Sequence, residues 1–158
     1  NAHVQYAKKT LAVKTAFTLD VAISSFGNPG RANTCAYAGL RYIASDRFLL
    51  FGYLQATTSQ VIQVYFSDTA NGGGPSGVFL SENVFSSEAR IFRVVYNGTT
   101  FVYHYSLDGT NFKQFATLNR VNYFAGHPDE MIIAGSFTYA QSGNTVKSHA
   151  DFLNLVEQ

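Results

Sequence analysis

From Ala89 to Ser106 the chain reads A-R-I-F-R-V-V-Y-N-G-T-T-F-V-Y-H-Y-S. Two runs of β-branched and aromatic residues flank Asn97-Gly98. Asn-Gly tolerates positive φ at both central positions, so the pattern predicts a β-hairpin closed by a two-residue type I′ turn. That turn implies a register. On one face Tyr96 opposes Thr99, Val94 opposes Phe101, Phe92 opposes Tyr103 and Arg90 opposes Tyr105. On the other, Val95 opposes Thr100, Arg93 opposes Val102 and Ile91 opposes His104. The first face is large and aromatic and is expected to be core. The second mixes Ile and Val with Arg93 and His104, and is half dressed for water or for a ligand.

Composition bounds what surrounds this hairpin. One domain with a real core is the expectation for 158 residues. Charged residues make up 13%, about half the usual ~25%, while aromatics reach 15% without Trp. Such a surface suits burial between subunits, so a homo-oligomer is expected. A net charge of +1 gives no electrostatic footprint for nucleic acid. Cys35 is the single cysteine, which leaves no intrachain disulfide and no two-cysteine metal motif. No apolar run approaches the ~20 residues that a helix needs to cross a bilayer, so membrane insertion is not expected. The chain opens at Asn1 rather than Met, as a fragment, a processed form or an expressed domain would.

Upstream of the hairpin, residues 1–10 are polar and basic and read as an N-terminal arm or linker, with residues 11–158 as the domain proper. Leu11 to Ser25 alternates with period two, placing Leu11, Val13, Thr15, Phe17, Leu19, Val21 and Ile23 on one face. A long strand, or two joined by a bend, fits it. Gly27-Asn28-Pro29-Gly30 breaks the chain. Thr34 to Ile43 is the next strand. Arg47 to Gln55, R-F-L-L-F-G-Y-L-Q, is apolar on both faces and reads as a central strand covered on both sides. Gln60 to Phe66 follows. Asn71 to Gly77 is a surface loop; no Gly-Lys-Ser/Thr follows it, so it is not a phosphate loop. A short strand is expected at Gly77 to Leu80. Downstream, Asp108-Gly109 turns the chain into a strand at Asn111 to Leu118. Residues 119–130 are irregular, and strands follow at Met131 to Tyr139 and Val146 to Val156. About ten or eleven short strands with Gly and Asn turns give an all-β, antiparallel β-sandwich.

Two resemblances extend this reading. Ala2-His3-Val4-Gln5-Tyr6-Ala7-Lys8 resembles the D-x-H-P-Q-Y segments of bacteriophage tail and head fibre proteins, departing from them at Val4 and Asn1. Separately, A-G-L-R-Y-I at Ala38–Ile43 with R-F-L-L-F-G-Y at Arg47–Tyr53, the hairpin with S-L-D-G-T-N-F through Phe112, and A-D-F-L-N-L at Ala150–Leu155 together are similar to concanavalin-like jelly-roll modules. These occur in legume-type lectins, laminin-G-like domains and accessory domains of bacterial glycosidases. The second resemblance implies a concanavalin-like jelly roll, sugar binding on a sheet face or rim, and sometimes calcium. No residue-level binding motif of that family is present to carry over.

Candidate residues therefore come from chemistry. Sugars are held by planar aromatics and by side chains offering paired hydrogen bonds. Tyr37, Arg41, Tyr53, Gln63, Tyr65, Arg93 and His104 are polar or amphipathic groups inside predicted strands, where a covered sheet would prefer Val or Leu. Each also has a structural reading, as a core Tyr with its hydroxyl at the rim or as a solvated Arg. His127, Asp129 and Glu130 share one loop; Asp129 and Glu130 offer hard oxygen ligands to calcium, the one cofactor considered, and a solvated loop turned by Pro128 is the alternative.

Catalytic patterns are missing. A glycosidase needs two carboxylates on the reacting bond, and the E-x-D-x-x-E or E-x-D-x-E run of related glucanases does not occur. No G-x-S-x-G is present. Cys35 reads as a small buried hydrophobe. The expectation is a non-catalytic module of a bacteriophage virion: a fibre or decoration domain, extracellular and trimeric. It would contact other virion proteins through the arm and bind bacterial surface or environmental glycans. A carbohydrate-binding accessory domain of a secreted bacterial glycosidase, and a purely structural oligomerisation domain, are the alternatives.

Overall fold

A computed structural model of the chain describes residues 6–25, 34–55, 60–68, 75–84, 91–134 and 149–157. Eleven strands run through them: β1 (Tyr6–Thr10), β2 (Phe17–Ser25), β3 (Thr34–Tyr42), β4 (Arg47–Gln55), β5 (Gln60–Asp68), β6 (Pro75–Val84), β7 (Ile91–Tyr96), β8 (Thr100–Ser106), β9 (Phe112–Asn119), β10 (Glu130–Ala134) and β11 (His149–Glu157). They form a six-stranded sheet in the order β1-β10-β3-β4-β5-β6 and a five-stranded sheet in the order β11-β2-β7-β8-β9. Every pairing is antiparallel.

Period-two alternation builds the core. Leu49, Phe51 and Tyr53 of β4, Ala38 and Leu40 of β3, and Ile62 and Val64 of β5 meet Phe17, Leu19 and Val21 of β2 and the aromatic face of β7 and β8. Phe51 sits edge-on to Phe92 at 5.0 Å and to Tyr103 at 5.2 Å, and Tyr53 edge-on to Phe92 at 5.1 Å. Such pairs each add about 0.5–1.5 kcal/mol beyond the area they bury. β4 is the central strand that its composition announces. Its other face is also covered, with Phe48 and Leu50 at 4% and 1% exposure.

The hairpin forms, and its aromatic face is buried, but its register differs by two. Tyr96 opposes Phe101, Val94 opposes Tyr103, Phe92 opposes Tyr105 and Arg93 opposes His104. The type I′ turn is replaced by one in which Gly98 alone has positive φ, at +90°. Asn97 sits before the turn, where its Oδ1 accepts hydrogen bonds from the N–H groups of Thr99 and Thr100, at 3.0 and 2.8 Å. An Asn side chain can cap a turn as readily as occupy its centre. A slip of two keeps every residue on its own face, whereas a slip of one would have turned the core outward. Arg90 lies outside the described residues, so its pairing does too.

Other boundaries shift. Leu11–Ser25 is not one strand: β2 begins at Phe17, and Leu11 is buried through a separate contact, its N–H donating to the Asp129 carbonyl at 2.9 Å. β3 stops at Tyr42, where a 3-10 turn at Ile43–Ser45 leads to Asp46 in the left-handed region, φ 49°. A second 3-10 turn, Arg120–Asn122, lies in the expected irregular stretch. β6 is longer than foreseen and β10 is described only to Ala134. The Gly27–Gly30 break and most of the Asn71–Gly77 loop lie outside the described residues, as do residues 1–5.

Candidate functional site

The polar strand residues separate onto different surfaces. Tyr37 and Arg41 of β3 and Gln63 and Tyr65 of β5 all lie on the outer face of the six-stranded sheet, alternating with the core residues Ala38, Leu40, Ile62 and Val64. Register brings them together. Gly52 stands between Tyr37 and Gln63 in one cross-strand row, and having no side chain it lets the Gln63 amide reach over β4 to donate to the Tyr37 hydroxyl. Tyr65 lies parallel to Tyr37, ring centres 6.2 Å apart. This group is closed: Tyr37 and Gln63 are each 2% exposed.

Arg41 is tied down as well. It donates to Glu130 at 2.9 Å and to Asp46 at 2.8 Å, and lies over the Phe48 ring. Glu130 also takes the Lys8 ammonium at 2.7 Å, which joins edge strand β1 to β10. The Lys8 hydrogen bond, joined by that of Arg41, holds the Glu130 carboxyl below the usual carboxylate range although burial pushes it up. Burial likewise pushes Asp129 up, and hydrogen bonds from Lys14 (2.6 Å) and the Ile43 N–H (2.9 Å) bring it below the ordinary value. The two carboxylates considered for calcium thus serve as ion-pair acceptors. His127 points elsewhere, within 2.7 Å of the Tyr96 hydroxyl. No group of three or more His, Cys, Asp or Glu side chains gathers among the described residues. Tyr53 faces the core, 1% exposed. The Cys35 side chain lies outside the described residues.

Arg93 and His104 occupy the outer face of the five-stranded sheet. They belong to a row that crosses the whole sheet: Asn154 opposes Asp20, Asp20 opposes Arg93, Arg93 opposes His104 and His104 opposes Gln114. At about 4.8 Å between strands the row spans about 19 Å. Arg93 is held in two ways. Its Nε and Nη2 donate to the two oxygens of Asp20, at 2.6 and 2.8 Å. Its guanidinium carbon lies 3.7 Å from the centre of the Phe112 ring. Asp20 is buried beneath, while the Arg93 side chain keeps 31% of its surface exposed. Asn154 and Gln114 are exposed at the two ends.

His104 is half-buried, and its Nδ1 is buried without a hydrogen-bond partner among the described residues. Burial, and then the neighbouring Arg93 charge, push its pKa below the ordinary histidine value. The shift favours the neutral imidazole. Beside this row lies a shallow cleft of about 260 Å³, lined by Tyr105, Leu107, Asp108, Asn111, Phe112 and Lys113. The Asp108-Gly109 turn shapes it. Asp108 accepts from the N–H groups of Thr110 and Asn111 at 2.8 and 2.7 Å, and Gly109 has φ +82°.

Sequence reasoning named Arg93 and His104 but paired neither with the other, because the assumed register put Val102 opposite Arg93. It also missed Asp20, Phe112, Gln114 and Asn154. Asp20 was visible as the single acidic residue on the polar side of the Leu11–Ser25 alternation. The others become neighbours only once β9 and β11 are placed.

No protein-family model and no curated protein matches the sequence. Solved structures do resemble it. A functionally unknown protein from Saccharomyces cerevisiae is 11% identical, with TM-score 0.58 over 99% of this chain and 75% of the other. The GH43 protein BlXynB from Bacillus licheniformis is 13% identical, with TM-score 0.59 over 91% of this chain and 28% of the other, so the match spans little more than a quarter of that protein. Lactose- and MES-liganded congerin II is 10% identical, with TM-score 0.51 over 96% and 98%. At such identities the likeness concerns fold alone, and it is the antiparallel jelly-roll sandwich that the Ala38–Tyr53 and Ala89–Phe112 stretches resemble.

Proposed function

We propose that the chain is a non-catalytic carbohydrate-binding module that receives saccharide across the outer face of its five-stranded sheet. The carrying observation is the Arg93 guanidinium, fixed by Asp20 along one edge and by Phe112 against one face, in an accessible row with His104 and Gln114. A sugar ring offers hydroxyl pairs to such donors and C–H faces to an aromatic ring, and donors already in position cost little ordering on binding. The outer face of the six-stranded sheet is the lesser choice, since its Tyr37 and Gln63 are buried and bonded to each other. The non-catalytic part of the proposal is supported by the ion pairs that engage Asp20, Asp46, Asp129 and Glu130 and by the turn N–H groups that engage Asp108. The jelly-roll likeness to lactose-liganded congerin II and to a segment of a GH43 protein supports the reading as an analogy of fold only.

A place on a bacteriophage particle, as an extracellular trimeric fibre or decoration module contacting other virion proteins through residues 1–10, belongs to the same proposal. Its support is the likeness of Ala2–Lys8 to phage fibre segments, of which residues 2–5 lie outside the described residues. An accessory domain of a bacterial glycosidase is the second reading, favoured by the GH43 likeness. Glycan-array screening followed by titration calorimetry tests the binding site. Arg93→Lys is expected to weaken any hit about tenfold, and a hit unaffected by it would move the site elsewhere. Light scattering of the chain with and without residues 1–5 tests the assembly: a trimer lost on truncation supports the fibre role, and a monomer in both forms argues for the accessory domain.

A further inference from the structure

Arg93 carries five N–H donors. Those on Nε and one on Nη2 go to Asp20. Among the described residues Nη1 makes no hydrogen bond, and together with the second N–H of Nη2 it forms another parallel fork, on a side chain that keeps 31% of its surface exposed. A planar carboxylate fits such a fork with two charge-assisted bonds, a match that a sugar hydroxyl cannot reproduce. Asp20 and Phe112 set the plane of the fork before any ligand arrives.

Charge gives this fork a condition. Asp20 already balances Arg93, so a second carboxylate would leave the row net negative. His104 is the titratable group placed to answer that. Among the described residues the charged groups in its row are Arg93 on β7 and, beyond it, Asp20 on β2; the residue opposite on β9 is the uncharged Gln114. Lys113 lies over the Tyr105 ring at 5.5 Å and lines the adjoining cleft together with Phe112 and Asp108. Along β8 the neighbours on the same face are Val102 and Ser106, both uncharged. Burial, and then the Arg93 charge, lower the His104 pKa and so favour the neutral imidazole while the face is empty. A carboxylate on Arg93 would offset the Arg93 charge and draw a proton from solvent onto the imidazole.

We propose that this face selects acidic saccharides: the outer edge of Arg93 takes the carboxylate of a uronic acid, and His104 takes up one proton as the ligand binds. This rests on the carbohydrate-binding reading above.

The test is titration calorimetry with trigalacturonate and with its fully methyl-esterified form, which has the same sugars without the carboxylates. The acid is expected to bind at least about tenfold tighter than the ester. Its affinity should rise from about pH 8 to about pH 5.5, with a ceiling of about tenfold per pH unit for one proton. The binding heat should vary with the ionisation enthalpy of the buffer. His104→Gln should keep the preference for the acid and flatten the pH profile. Arg93→Lys, which keeps the charge beside Asp20 and so protects folding, should abolish the preference. Equal binding of acid and ester, or a flat pH profile in the unmodified protein, overturns the inference. If in that case Arg93→Lys weakens both ligands, the carbohydrate site stands without its acid preference. If neither trigalacturonate nor any neutral glycan on an array binds, both readings fall.

Discussion

Both outer faces of the sandwich carry polar side chains in mid-strand, and they put them to opposite use. On the six-stranded sheet the groups close on one another: Gln63 with Tyr37, and Glu130 with Arg41 and Lys8. On the five-stranded sheet Asp20 occupies only one edge of Arg93, whose side chain stays 31% exposed. A polar residue in a strand is ambiguous until its partners are known. Hydrogen-bonding capacity that is filled inside the chain favours the fold, and capacity left over on an accessible surface is available for recognition.

The sharpest way to break this contrast is Gly39→Ala on the six-stranded sheet. A methyl there would lie 2.5 Å from Leu50 Cδ2 and 2.8 Å from the Leu49 carbonyl oxygen, so the strands must part. A loss of about 3 kcal/mol in denaturant unfolding is expected, with saccharide binding unchanged in the folded fraction. Glu130→Gln on the same sheet should cost about 2 kcal/mol, because Arg41 and Lys8 lose a charged acceptor. The pH dependence follows the same groups. Asp129 and Glu130 are both depressed when folded, so their contribution is complete above their unfolded values near pH 4 and fades as pH falls through the folded ones. Glu130→Gln should therefore flatten the acid limb of a stability-against-pH curve, and an unchanged limb would refute the ion-pair account.

Phe112→Ala tests the other face. Removing the ring under Arg93 should cost about 1 kcal/mol of stability while weakening saccharide binding about tenfold. A larger fall in stability than in binding would make Phe112 structural and erase the contrast. Smallest of all, Tyr103→Phe removes a fully buried hydroxyl that has no partner among the described residues and whose pKa burial pushes far up. It should raise stability by about 1 kcal/mol in the same unfolding assay; a loss would mean that the hydroxyl has a partner such as bound water.

Much of the fold was legible in the sequence for a local reason. Side chains alternate in a strand, so Val94 and Phe92 against Phe101 and Tyr103 announce a buried face whatever their register. An apolar run such as Arg47–Gln55 announces a strand covered twice. The register was less legible, because Asn97 had two competing uses and only its neighbours across the turn select one. The split of the candidate residues was not legible at all. Tyr53 and Tyr37 look alike in sequence, yet their odd positions fall on opposite faces because they belong to different strands with different phases. The contact between Gln63 and Tyr37 needed the gap left by Gly52 on a third strand.

By itself the sequence determined an all-β sandwich with an aromatic core and few charges, since period and composition act within short segments. Tertiary structure alone decided the candidate row. Asn154, Asp20, Arg93, His104 and Gln114 come from five strands spread over most of the chain, and only the sheet order β11-β2-β7-β8-β9 sets them in one row. Pairing between distant strands depends on packing energies summed over the whole core, which no single stretch encodes.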